Sequence, residues 1–231
     1  FTKLKYDKPD VDAIFISHSH PDHVGHLSFL DESIPVYMGH CTHVIINAYN
    51  KLYRQLSDIG EHTNLHEFKS GDKIKIKHLV IEPIHVEHSV PGAYGFIIHT
   101  SKGPIVYTGD FRLHGPRSDM TLEFIKKAAQ CRPYALLCEG TRMGYTPDLP
   151  AGLPTGPGKQ RGARPVDDEI EHNFSEEEVE AKATALIRDT KGIVFANFAM
   201  SNVDRVMSFY RAAVKNGRKL VIDTRFAYIL D

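Results

Sequence analysis

Three scarcities in this sequence each remove a class of protein. Charge of one sign is not in excess: Lys and Arg number 28 against 29 Asp and Glu, a formal charge of −1. No global basic field therefore gathers nucleic acid, and any polyanion has to be held locally, by metal ions or a patch. Cysteine is scarce. Cys41, Cys131 and Cys138 are odd in number and lack CxxC spacing, which excludes a disulfide framework and a thiolate zinc site. A reducing, cytoplasmic compartment is the expectation, with the three thiols as buried small hydrophobes. Long apolar runs are absent, so no stretch of 18 such residues reads as a membrane span. At 42% hydrophobic and 25% charged, the composition is that of a folded globular chain. Its 231 residues suit one or two domains. What is abundant is histidine, with 14 in all and 13 of them between His18 and His114. The opening residue is Phe1 and no basic, apolar leader follows it, so the sequence is expected to be a segment of a longer protein.

The apolar pattern divides the chain. Val11 to Ser17 is a short β-branched and aromatic run of strand length ending at a histidine cluster, and Val24 to Leu30 predicts a short helix. Val36 to Met38 predicts a second strand, and the stripe Val44, Ile45, Ala48, Leu52, Leu56 predicts a helix over 42–57. From Leu65 to Thr108 strands dominate, separated by turn signals at Gly71-Asp72, Pro91-Gly92 and Lys102-Gly103. A helix over 122–129 leads to a strand at 134–138. Gly144 to Pro165 then holds ten Gly or Pro among 22 residues, a density no regular element tolerates. The division expected is a first domain over 1–142, a linker or long surface loop over 143–174, and a second unit over 175–231. In that last unit Ser175 with Glu178 forms a capping box, and Ser201 with Asp204 is expected to cap a second helix closed by Gly217. Strands at 192–198 and 219–222 around that helix predict a βαβ unit with a parallel sheet. The fold class is α/β.

The chemistry concentrates in His18-Ser19-His20-Pro21-Asp22-His23, three imidazoles and a carboxylate in six residues directly after a strand. Neutral imidazole and carboxylate suit zinc and its first-row neighbours. In an irregular loop, residues at i and i+2 can chelate one ion while i+4 and i+5 turn toward a second. A metal-free, His-rich surface loop is the plain alternative, and two further motifs weigh against it. His88 closes an apolar strand, and Asp110 in Thr108-Gly109-Asp110 closes another, so both are expected at one sheet edge beside the first loop.

With HxHxDH, an isolated later His and a TGD Asp, residues 11–139 resemble the metallo-β-lactamase superfamily. That resemblance implies an αββα sandwich, incomplete in this sequence, with metals at one edge. It further implies that His18, His20 and His88 hold one metal, that Asp22 and His23 hold the second, and that Asp110 bridges the two. Leu137-Cys138-Glu139-Gly140-Thr141-Arg142 is similar to the acidic motif that precedes the inserted domain of the β-CASP nucleases, placing Glu139 among the catalytic candidates with Asp22 and Asp110. Residues 192–205 resemble the opening strand and helix of the β-CASP domain in ribonuclease J and its archaeal relatives. The family's later histidine motifs have no counterpart after His172, and its early Asp-bearing strand is also missing, which again implies a longer protein.

Two divalent ions, Zn2+ foremost with Mn2+ the alternative, can bring a shared water to hydroxide near neutral pH and neutralise charge on a phosphoryl group. Asp22 or Asp110 can orient that water. The ions also answer the charge question, because they supply locally what the protein lacks overall. Arg112, Arg142 and the stretch Lys159, Arg161, Arg164 are candidate phosphate contacts, the last group being also a plain solvated loop. The leading expectation is a metal-dependent ribonuclease acting on single-stranded regions or ends of RNA, with no membrane partner and with a homo-oligomer left open. The alternatives are another metallo-β-lactamase-fold hydrolase of a small ester, thioester or lactam, and a non-catalytic subunit of an RNA-processing assembly. Of the remaining histidines, His26 is either an outer donor to the metal loop or a packed helix residue, His85 is expected to be structural, and His114 either touches substrate or does not.

Overall fold

Near-continuous apolar runs along the central strands bury both faces of the sheets, and that is what builds the molecule in layers. The computed structural model describes residues 10–52, 64–140, 174–199 and 201–230. The first sheet is parallel, in the order β1 (Ile14–Phe15), β2 (Val36–Gly39), β3 (Leu65–Phe68). The second runs β4 (Ile74–Ile76), β5 (Leu79–His85), β6 (Tyr94–His99), β7 (Ile105–Tyr107), β8 (Ala135–Leu137). It is antiparallel except for the β7–β8 pair. On β2, Val36 and Met38 face one way, toward Ile46 of α2 (His40–Leu52) and Val24 of α1 (Pro21–Val24). Tyr37 faces the other way, into an aromatic layer with Phe15, Phe68, Tyr94, Phe96 and Tyr107 that glues the two sheets together. β6 repeats the alternation: Tyr94, Phe96 and Ile98 enter the aromatic layer, while Ile97 turns outward with Val106 onto Phe124 of α3 (Ser118–Gln130). Helix, sheet, sheet, helix is therefore the layer order, the αββα sandwich expected.

Local differences have local causes. β1 spans two residues rather than the seven of the apolar run, since among the described residues only Ile14 and Phe15 enter a ladder, with Val36 and Tyr37 of β2. The helix expected over 24–30 is split into α1 and a 3-10 turn over Leu27–Phe29, with Pro21 starting the first piece. α2 begins two residues earlier than predicted and is described to Leu52. The Gly- and Pro-rich segment falls outside the described residues.

After it come α4 (Glu176–Asp189), α5 (Val203–Lys215) and α6 (Thr224–Leu230). The capping box at Ser175 and Glu178 forms as predicted. The cap of α5 does not: Asn202, not Ser201 with Asp204, accepts the Arg205 N–H. Asp204 is freed for an ion pair described below. At the far end Gly217 takes φ +63°, and Gly217 and Arg218 return their N–H groups to Val214 and Ala213. α4 and α5 pack through Ala183, Ile187, Phe209 and Ala212. The parallel strand pair expected at 192–198 and 219–222 is not formed. Among the described residues both segments lack ladder hydrogen bonds, and they line an apolar cleft of about 670 Å³, with Phe195 91% and Val221 89% exposed. A strand exists only where a second strand satisfies its backbone, and apolar content alone does not supply one. Among the described residues no helix is long and apolar enough to cross a membrane.

Candidate metal centre

Three strand ends meet at one edge of the sandwich. β5 and β7 both pair antiparallel with β6, so they run the same way, and the residues that follow them, His88 and Asp110, emerge together. The loop after β1 is pinned beside them by the Tyr94 N–H, which donates to the Ser17 carbonyl at 3.0 Å. Gly109 makes the approach possible: it sits at φ +56°, and a Cβ there would lie 2.6 Å from the Tyr94 carbonyl oxygen.

The geometry sorts the six predicted ligands into two groups that share one carboxylate. His20 Nδ1 lies 3.0 Å from His18 Nε2 and 3.1 Å from His88 Nε2. Asp110 Oδ2 approaches the same nitrogens at 3.8 Å from His18 and 3.9 Å from His88. On its other side, Asp110 Oδ1 is 3.5 Å from His23 Nε2, which is itself 3.4 Å from Asp22 Oδ2. His18, His20, His88 and Asp110 thus form one set able to hold an ion, and Asp22, His23 and Asp110 a second. His18 is fully buried, whereas the Asp22 side chain is 75% exposed, so the centre opens to solvent on the Asp22 side.

The donor chemistry fits divalent metal. Burial, with the charges of the other imidazoles behind it, holds His18 down to about 2 and His88 down to about 4; burial likewise lowers His20. These rings are neutral near pH 7 and bring lone pairs together rather than protons. Nitrogens bound tetrahedrally to zinc at ~2.0–2.1 Å stand about 3.3 Å apart, close to the spacing found. Burial raises Asp110, opposed by the His23 charge, and a cation between the two sets would offset that cost.

Ser17, which the sequence reading passed over, supports the arrangement from behind. Its Oγ lies 3.1 Å from His18 Nδ1 and 3.2 Å from His23 Nδ1, and it also meets the Tyr107 hydroxyl. With both Nδ1–H groups donating to the serine oxygen and the serine O–H donating to the Tyr107 oxygen, both Nε2 lone pairs face Asp110. Only adjacency to His18 signalled this role.

The other candidates fall as follows. Glu139 accepts the Phe111 N–H at 3.0 Å, so it holds the residue after Asp110, and its charge is felt at both His88 and Asp110. Arg112 is not an open phosphate contact. It is buried, with Nε 2.7 Å from Glu87 Oε1 and Nη2 2.6 Å from Asp204 Oδ2. Arg142, Lys159, Arg161 and Arg164 lie outside the described residues. His26 is exposed against Phe29, which removes it from the metal loop's support. His85 stacks on Tyr94 at 4.2 Å, a structural use as expected. His114 receives the Glu176 N–H on its carbonyl. The cysteines depart from expectation: Cys41 and Cys138 are exposed, and only Cys131 is partly covered, while all three are free thiols.

A family model described as the β-lactamase superfamily domain matches residues 2–131. The chain belongs to this superfamily. Among relatives of the superfamily member, ribonuclease J of Sinorhizobium meliloti is 27% identical over 95% of this chain and 35% of its own. Ribonuclease J2 of Bacillus subtilis is 29% identical over 92% of this chain and 34% of its own. The chain thus spans about a third of the length of the curated relatives it matches. A crystal structure of a protein of unknown function from Enterococcus faecalis V583 superposes with a TM-score of 0.70 at 26% identity, covering 97% of this chain and 50% of that one.

Proposed function

We propose that this chain carries the metal centre of a β-CASP-type, metal-dependent ribonuclease. The observation that carries the reading is the division of six ligands into two sets around the two oxygens of Asp110. The naming of its relatives as ribonucleases J extends the reading from a metallohydrolase to one acting on RNA. His18, His20 and His88 would hold one ion and Asp22 and His23 the other, with Asp110 serving both. When bound, two such ions supply a water acidified toward neutrality and positive charge at the scissile phosphate.

The chain's own groups do the rest. Asp22, the exposed carboxylate at the open side, would orient the attacking water and accept its proton. Asp110 is fixed between the two sets, and Glu139 keeps its loop in place through the Phe111 N–H. The groups that the described residues bring to this edge are imidazoles and carboxylates suited to metal, so RNA would be taken by its backbone and single-stranded form. Residues 1–142 would supply the centre and 175–231 one flank of the substrate channel, in a cytoplasmic protein with reduced thiols.

The test is incubation of the full-length protein with labelled RNA bearing 5′-triphosphate, monophosphate or hydroxyl ends, with Zn2+ or Mn2+ and after chelation. Cleavage that depends on metal and falls away in the Asp22→Asn and Asp110→Asn variants is the expected result. Metal-dependent turnover of a thioester or lactam without RNA cleavage would move the protein to the small-molecule hydrolases.

A further inference from the structure

Two residues beside the metal ligands, Glu87 next to His88 and Arg112 two beyond Asp110, are joined in the interior and then tied to the helical unit. The backbone N–H of Arg112 donates to the Glu87 carbonyl at 2.7 Å, and its Nε donates to Glu87 Oε1 at 2.7 Å. Gly115 N–H takes the other carboxylate oxygen at 3.1 Å. Thr121 closes the knot, its Oγ1 accepting from Glu87 N–H at 2.9 Å and donating to the Arg112 carbonyl at 3.1 Å. Glu87, Arg112 and Thr121 are all buried. The two loops that bring His88 and Asp110 to the centre are therefore one hydrogen-bonded body.

Arg112 has a further arm. Its Nη2 reaches Asp204 in the first turn of α5 at 2.6 Å, across 92 residues of sequence, and its Nη1 faces Glu176 of α4 at 3.9 Å. Glu176 is in turn gripped by Arg205 at 3.0 Å and by the Ser208 hydroxyl. From the same helix start, Ser201 Oγ stands 3.4 Å from His20 Nε2, the ring nitrogen that does not face the other ligands. The start of α5 thus touches the metal edge at two places, one of them a ligand ring.

We propose that Arg112 is a positioning residue through which docking of α4 and α5 sets the spacing of His88 and Asp110. A guanidinium suits the task because its planar fork serves Glu87 and Asp204 at once in fixed directions, which an ammonium does not. The consequence is that the helical unit, besides flanking the substrate, tunes the affinity of the centre for its ions. The inference rests on the metal-centre reading above.

The test uses the full-length protein and three substitutions: Arg112→Lys, which keeps charge and loses the fork, Asp204→Asn, which weakens only the arm to α5, and Ser201→Ala. Metal affinity is read by competition with a chromophoric chelator, using Zn2+ and Co2+ alone, beside thermal melts of the metal-free protein. Arg112→Lys is expected to lower affinity by about 10- to 100-fold, as loss of outer support around metal ligands does, and Asp204→Asn to lower it in the same direction by less. Should Arg112→Lys fail to fold, Asp204→Asn and Ser201→Ala carry the test. Variants that lose melting temperature but keep wild-type affinity would make the knot purely structural and overturn the proposal alone. A wild-type protein that takes up no metal would overturn the metal-centre reading, and this proposal with it.

Discussion

Asp110 is the residue on which the proposed centre turns, because each of its oxygens lies beside a different candidate ligand set. Asp110→Asn is expected to weaken the binding of both ions together, read as two affinities in a calorimetric or chelator titration; a change in one affinity alone would remove the bridging role. Ser17 acts at one remove, through the Nδ1 atoms of His18 and His23. Removing its oxygen in Ser17→Ala leaves the ring N–H groups of buried His18 and half-buried His23 without this acceptor, and metal affinity is expected to fall by about 10- to 100-fold. Unchanged affinity would mean that burial alone orients the rings. The six candidate ligands could be named from the sequence because donor chemistry is written in residue type and strand ends in apolar runs, and their division between two ions was what the family resemblance implied. Ser17, Glu87 and Thr121 were not, since a buried serine, glutamate or threonine has no distinguishing pattern until its partner is placed.

Helix starts carry the next level of control. The Ser175 hydroxyl accepts the Glu178 N–H while the Glu178 carboxylate accepts the Ser175 N–H, and Glu176 begins the helix against Arg205 and Arg112. Ser175→Ala is expected to cost about 1 kcal/mol, seen as a drop of roughly 2–4 °C in melting temperature for a protein of this size. Glu176 itself makes the α4–α5 junction sensitive to acid. Burial pushes its carboxyl up, but hydrogen bonds from Arg205 and Ser208 and the two guanidinium charges outweigh this and hold it below its ordinary 4.5. A carboxyl with a depressed folded value contributes stability above its unfolded value and loses it as pH falls through the folded one. Glu176→Gln is therefore expected to melt below wild type at pH 7, with the gap closing as pH falls below 4.5. A gap independent of pH would assign the effect to packing.

Across the whole molecule, an aromatic layer between two sheets holds the strand ends in register, and a buried charge cluster fastens the helices to the same edge. Glu87, Glu176 and Asp204 surround Arg112 and Arg205, so three carboxylates face two guanidinia. Burial raises Glu87 and Asp204 against the pull of Arg112. Breaking one partner of such a cluster leaves a buried charge uncompensated, which is the costly case for interior ion pairs. The apolar cleft by Phe195 and Val221 stands apart from this edge, and the metal centre draws on none of its lining.

By itself the sequence determined what depends on near neighbours: the apolar runs that make strands, the capping box of α4, and the ligand types in HxHxDH. Tertiary structure decided what depends on distant partners. Arg112 read as a phosphate contact because it is basic and near Asp110, yet Glu87 and Asp204, 25 and 92 residues away, enclose it. Residues 192–198 read as a strand because they are apolar, yet no neighbouring backbone pairs with them among the described residues. Asp204 read as a cap, and an ion pair across the fold claimed it instead. For Arg112 and Asp204 the local preference is worth a kcal/mol or so and an uncompensated buried charge costs more, so the distant partner prevails, whereas for 192–198 apolar content alone does not supply the partner a strand needs.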